Sequence, residues 1–558
     1  MITEKNHSIQ KYRIELTLEN EKAAFEIQQR FLSSAKRIVK EKLADLFDEI
    51  VGDTRYLKIN KLEIDAGSML NTTFEKDIPG RLPALIEEEL KKSLSECLHN
   101  AKSNYAYDKE APNNSSNAKI LENSQYVFSR LIYFLKHGCF PWWATKTDFD
   151  EFEKETIQSF REKPKGISID LIKILQSENV LERLVYQFSE DFLIELSSFL
   201  TFTKKGLIIE TIKGLKTISL ECRTNTRQGE LKKLVYLPIL KTLSSLGRVI
   251  DSPQDWLGLT IYQFCQLHTN LSMTDIIIRL FNYSQNVNDS NVRNEMTHVI
   301  NLIAQENYCK ESPQKIDRGH DNENLFSTNE NENLSAGSQK KNNDPGLESR
   351  NNTEGIRGSD KETNVSSQKS SILNRMEKKY SQKSEIINEK EDDFEYYVNN
   401  AGLVILAPFL PSFFKELRLL KDNDFKNEDA KCRAVHILQY TINKTECAPE
   451  NELVLNKILC NVPTEKTILR DIKLTVGEKS NVRDLLNSVV KHWTALKGSS
   501  VDGLREGFLQ REGKLGIVDN GWKLVVERKT LDIILSKIPW GFSMIKLPWM
   551  TSLVSVEW

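Results

Sequence analysis

The pattern of apolar positions changes period several times along the chain. Tyr12, Ile14, Leu16 and Leu18 alternate with polar neighbours, the spacing of a half-buried strand. From about Glu21 the period becomes helical, with Ile27, Phe31, Ala35, Ile38, Leu43, Leu46 and Ile50 on one face. Leu57 and Ile59 alternate again, and Leu62 and Ile64 continue in the opposite phase, which a bulge or a break between two short strands would produce. Leu85, Ile86, Leu90 and Leu94 return to helical spacing. Residues 1–100 therefore predict a small β-α-β-α unit, and the polar stretch 101–120, with Pro112-Asn113-Asn114-Ser115-Ser116-Asn117, predicts a linker.

Beyond the linker the pattern is helical throughout 121–310. Val127, Leu131, Phe134 and Leu135 mark a helix that stops at His137-Gly138, with glycine at the position of a C-cap. Further helical stretches run over 172–175, 181–200, 231–246, 257–267 and 276–280, with no strict repeat. From 311 to 393 Asn, Ser, Glu, Lys, Asp and Gly dominate. Such a segment cannot bury enough apolar surface to offset its ordering entropy and predicts a disordered tether. The final unit, 394–558, opens on the apolar run Ala401 to Phe414. Helical spacing recurs at Val435 and Leu438, at Leu453 to Leu459, and at Leu485 to Trp493, with a strand at Trp522, Leu524 and Val526. The expected fold is mainly α and multidomain, with a small α+β unit at the front and a long disordered insert.

Composition narrows the function classes. Basic and acidic residues number 77 and 79, giving a net charge of −2, so no global field draws nucleic acid or an anionic membrane. The apolar run at 401–414 contains Pro408 and Pro411 and is shorter than the ~20 residues of a bilayer span. The first residues carry no apolar stretch of the secretory type. Eight cysteines without framework spacing read as reduced thiols of a cytoplasmic protein.

No phosphate-binding glycine loop, His-Glu-x-x-His, Gly-x-Ser-x-Gly or dinucleotide fingerprint is present, so no catalytic or cofactor residue is assigned. Cys432 and His436, four apart on a predicted helix with Cys447 and Cys460 beyond, fit no structural zinc spacing and read as core residues rather than metal ligands. Arg505, Glu506, Arg511 and Glu512 read as a charged helical face. Five of eight tryptophans lie between Trp493 and Trp558, two of them in the near-repeats Ile538-Pro539-Trp540 and Leu547-Pro548-Trp549. Tryptophans serve both as core residues and as interface anchors. Trp493 and Trp522 read as core. The candidate interaction surface comprises Pro141, Trp142, Trp143, Arg505, Arg511, Pro539, Trp540, Pro548, Trp549 and Trp558.

Several further stretches stand out together: Lys61 to Gly67, Phe134 to Trp143, Asn400-Ala401-Gly402-Leu403-Val404, and Pro408-Phe409-Leu410. With them go Arg433 to His436, Leu455 to Cys460, His492-Trp493, Gly503 to Arg505 with Phe508 to Arg511, and both Pro-Trp elements. Taken together they resemble the contractile injection system tape measure family of phage-tail-like particles. Asn461 stands where the pattern leads one to expect glycine, and Gly498 where a more polar residue is expected. The resemblance implies a non-enzymatic tape-measure or assembly protein, with inner-tube and baseplate proteins as partners and no cofactor. A cytoplasmic adaptor or chaperone for the same kind of particle is the alternative.

Overall fold

The computed structural model describes residues 55–59, 118–144, 147–162, most of 167–311, and 395–558 except 519–520, with a few single positions between 9 and 92. Most of the expected β-α-β-α unit, and the low-complexity stretch 311–393 apart from Glu311, lie outside the described residues. The described residues up to 300 and from 395 onward belong to one compact unit, and 301–311 fall outside it.

At the front, Leu57 and Ile59 lie on a strand as their alternation predicts: β1 (Arg55–Ile59) pairs antiparallel with β2 (Ala118–Glu122). Strand β2 begins within the stretch read as linker. Ten helices follow, mainly helical as the pattern requires: α1 (Asn123–His137), α2 (Phe149–Glu162), α3 (Ile167–Ile174), α4 (Glu178–Gln187), α5 (Glu190–Leu200), α6 (Lys205–Cys222), α7 (Gln228–Ser245), α8 (Pro253–Leu267), α9 (Met273–Ser284) and α10 (Ser290–Glu311). The apolar pattern of 181–200 is two helices rather than one. Phe188 is extended, and Ser189 restarts the chain by accepting a hydrogen bond from the Phe192 amide. Phe134, Phe140, Phe149, Phe152 and Phe188 form an aromatic cluster with ring centroids 5.0–6.3 Å apart, which joins α1, α2 and the end of α4.

The C-terminal part packs helices against a mostly antiparallel sheet. A five-stranded sheet has the order β3 (Glu395–Val398), β6 (Gly513–Val518), β7 (Gly521–Val526), β9 (Leu553–Glu557) and β8 (Met544–Ile545), antiparallel except for β7 with β9. A small hairpin of β4 (Leu420–Lys421) and β5 (Asp424–Phe425) lies apart from it. Tyr396, Leu515, Leu524 and Val554 turn inward against the helices α11 (Leu410–Glu416), α12 (Glu428–Asn443), α13 (Val454–Leu459), α14 (Val476–His492) and α15 (Val501–Leu504). Thr475 and Glu478 close a reciprocal capping box at the start of α14.

The apolar run at 401–414 is the centre of this core. Residues 401–407 are all buried in a 3₁₀ helix, Ala401–Phe409. Its approach to the turn Arg505–Leu509 is close: a Cβ on Gly402 would lie 1.7 Å from the Phe508 carbonyl oxygen, and the Ala401 amide donates to the Arg511 carbonyl at 2.9 Å. Two of the quoted motifs, Asn400 to Val404 and Gly503 to Arg511, thus interlock through their backbones. Asn461 occupies left-handed space at φ +54°, the conformation that makes glycine an expected residue there. Its side chain instead accepts from the Thr551 amide at 3.3 Å and hydroxyl at 3.0 Å. Gly498 likewise adopts φ +90°.

Because the obstacle at Gly402 is backbone, Gly402→Ala cannot be absorbed by a rotamer change. It is expected to cost about 3 kcal/mol or more, or to prevent folding, measured by urea unfolding. Near-wild-type stability would contradict this packing.

Candidate functional site

The helix α1 ends at Gly138, and from there the chain enters the C-terminal core. Gly138 has φ +71°, and its amide closes the helix onto the Phe134 carbonyl at 2.7 Å. Cys139 follows directly and is buried among the C-terminal core residues. A Cβ at Gly138 would sit 2.6 Å from Glu450 Oε1 and 3.1 Å from Arg183 Nη2, so glycine is required by both conformation and space.

Those two side chains form the centre of the site. Arg183 on α4 and Glu450 are 267 positions apart and fully buried. Arg183 Nε donates to Glu450 Oε2 at 2.8 Å, and Nη2 donates to Oε1 at 3.2 Å. The rest of the guanidinium caps carbonyls: Nη1 donates to Leu135 and Lys136 at the end of α1, and Nη2 to Glu465 at 2.8 Å. Lys457 on α13, also fully buried, donates to Glu450 Oε1 at 2.6 Å and to the Thr464 carbonyl at 2.9 Å. Burial lowers the Lys457 ammonium from its ordinary range while Glu450 opposes the shift. Burial pushes the Cys139 thiol up to about 12, with the Glu450 charge adding to it, so this cysteine stays a thiol and is no nucleophile.

Around this node α4 is stitched to 449–470. Gln187 accepts from the Glu450 amide at 2.8 Å and donates to the Ile468 carbonyl at 2.6 Å. Arg470 pairs with Asp150 at 2.6 Å while its guanidinium lies over the Phe149 ring. A second polar network lies within the C-terminal core, where Asn400 Nδ2 donates to Asn456 Oδ1, the Glu452 carbonyl and Gln439 Oε1 at 2.8–3.2 Å. The front helices and the C-terminal core are therefore joined by packing as well as by the chain.

Of the ten residues in the sequence-predicted surface set, four are buried, four half-buried and two exposed. Arg505 and Arg511 are buried, and no charged helical face exists there: α15 gives way to a π turn, Arg505–Leu509, which aims both side chains inward. Their charges are compensated at once. Arg505 Nε donates to the Thr441 carbonyl and Nη1 to Asp502, both at 2.8 Å. Arg511 donates to the Gly507 carbonyl at 2.8 Å and to Asp532 at 2.7 Å.

Trp549 is core, its indole N–H donating to the Leu459 carbonyl at 2.8 Å between the rings of Phe414 and Phe425. Trp540 and Trp558 are half-buried. Trp540 donates to the Ile405 carbonyl at 3.0 Å and Trp558 to Asp532 at 3.1 Å. Pro539 and Pro548 are exposed, so each Pro-Trp element shows its proline and turns its ring inward. At the other end Pro141 is buried, and Trp142 and Trp143 are half-buried in a turn against β3, with Trp143 5.0 Å from the Tyr126 ring. Trp493 is buried and Trp522 half-buried against the core.

Arg183, Gln187, Glu450 and Lys457 were not picked out from the sequence. The available signal was a charge inside an apolar run, as in Val180-Leu181-Glu182-Arg183-Leu184-Val185 and Leu455-Asn456-Lys457-Ile458-Leu459. Cys432 and His436 share a face of α12. Among the described residues no group of three or more His, Cys, Asp or Glu side chains is placed to hold a metal ion, and no helix is long and apolar enough to cross a membrane.

The motif at Gly138 thus braces the front helices against the C-terminal core, and the motifs that meet at Gly402 interlock within that core. The family model for the contractile injection system tape measure protein matches residues 6–558, and the chain belongs to that family. Comparison with curated proteins and with solved structures gives no match.

Two outcomes follow from the buried charges. Glu450→Ala leaves two buried cations, Arg183 and Lys457, without their shared countercharge and is expected to cost about 3–5 kcal/mol in urea unfolding. A loss below about 1 kcal/mol would be that of an exposed pair and would contradict this burial. His436 is held neutral by burial, its pKa lowered to about 4. The unfolded chain takes up that proton from about pH 6.5 downward and the folded ring resists, so stability falls with pH across this window by up to about 3 kcal/mol. His436→Leu should remove that part of the slope in pH-dependent denaturation; an unchanged slope would assign it elsewhere.

Proposed function

We propose that the chain acts without catalysis as an assembly protein that links the baseplate to the growing inner tube of a contractile injection system. It meets both sets of subunits in the cytoplasm, before or while entering the particle. The observation that carries this reading is the family match across residues 6–558.

The braced body favours linking over measuring by the folded residues. A chain of 558 residues drawn out as one helix would span roughly 840 Å, whereas the longest described helix, α10, has 22 residues and is about 33 Å long. Any length-setting then falls to residues 311–393. The same compactness suits a second reading, an adaptor or chaperone that prepares tube subunits or cargo and never enters the particle.

A graded deletion series within 311–393, read by electron microscopy of particle length and quantitative mass spectrometry of purified particles, separates these roles. Linking predicts that the protein is present and that tube length is unchanged. Length falling in step with each deletion assigns measuring to 311–393. Absence from particles whose formation still requires it supports the adaptor.

A further inference from the structure

The helix Thr530–Lys537 packs Ile534 and Leu535 against the core but leaves two further aliphatic residues in solvent. Its sequence, TLDIILSK, carries four aliphatic residues, yet none of its residues is buried. Leu531 is 56% exposed and Ile533 80%. The other described helices of the C-terminal part each bury at least one side chain.

Its acid faces inward as well. Asp532 accepts from buried Arg511 at 2.7 Å, from the Lys529 amide at 2.7 Å and from the Trp558 indole at 3.1 Å. This anchoring, with Ile534 and Leu535 packed against the core, fixes the helix with Leu531 and Ile533 toward solvent, so these two side chains are preorganised. It also spends the helix's negative charge internally.

The rim is basic. The helix lies against the turn Thr494–Leu496, which is flanked by exposed Lys491, His492 and Lys497, and it ends on exposed Lys537. Among the described residues these three lysines form no ion pair of 4 Å or less with an acid. Glu506, exposed on the turn whose Gly507 lies beside Leu531, is the nearby countercharge. Exposed Pro539 continues the surface.

We infer that this face is a docking platform for an amphipathic segment of a partner protein, one bearing an aliphatic stripe bordered by Asp or Glu. Aliphatic anchors would cover Leu531 and Ile533 while the acids meet Lys491, Lys497 and Lys537. The inference rests on the assembly reading for where such a partner is met, but not for whether the surface binds.

The test uses the full chain and a fluorescent designed helical peptide with a Leu/Ile stripe flanked by Glu, compared with the same peptide carrying Lys for Glu. The Glu peptide is expected to bind in fluorescence anisotropy, more weakly as salt rises, and the Lys peptide at least tenfold more weakly. Leu531→Glu/Ile533→Glu and, separately, Lys491→Glu/Lys497→Glu/Lys537→Glu should each weaken the Glu peptide at least tenfold. Both variants should leave the thermal midpoint within a few degrees, since none of these side chains is buried. Absence of binding, equal binding of both peptides, or indifference to the variants would overturn the proposal. So would concentration-dependent dimerisation in analytical ultracentrifugation that Ile533→Glu abolishes, because the face would then join two copies. Particle formation in a strain lacking the protein is scored separately, so failure of the assembly reading and failure of this surface are distinguishable.

Discussion

The fold turns on a buried charge cluster. Arg183, Glu450 and Lys457 are withdrawn from water together, a large desolvation cost that is offset because nearly every donor is aimed at an acceptor. Glu450 meets both cations, and the remaining guanidinium and ammonium donors end on the carbonyls of Leu135, Lys136, Thr464 and Glu465. A hydrophobic contact of similar size would tolerate sliding. This arrangement is satisfied in one relative placement of α4 and the 449–470 segment, which is why it specifies a docking geometry and not merely adhesion.

Two glycines make that geometry reachable. At Gly138 the missing Cβ leaves room for the carboxylate and guanidinium, and the left-handed turn delivers Cys139 into the opposite core. At Gly402 it allows the 3₁₀ helix to touch the Phe508 backbone. Among the described residues, the stretches around Gly138 and Gly402 bring distant parts of the chain together, and the tryptophans of the Pro-Trp elements add to this by donating to the Ile405 and Leu459 carbonyls.

The helices were legible because their apolar period extends over several turns, and the stop at Gly138 because glycine there has a local conformational cause. The sheet was largely hidden. Its strands are two to six residues long, β6 carries Gly513 and Gly516, and β3 sits just before the apolar run that dominates the reading. Trp522, Leu524 and Val526 alone alternated clearly enough to be recognised. The site was least legible, since Arg183 and Glu450 lie 267 positions apart and no local period relates them. Arg505 and Arg511 misled for the opposite reason: their spacing was read on a regular helix that the π turn interrupts.

The most direct test of the brace is to cut the chain between its two sides. A protease site introduced within residues 311–393 of the full-length protein is cleaved after folding, and the products are passed over a size-exclusion column. If the buried Arg183–Glu450–Lys457 cluster joins the two sides, the fragments co-elute as a 1:1 complex and separate when Glu450 is replaced by Ala. Fragments that part in the wild-type sequence would contradict the account.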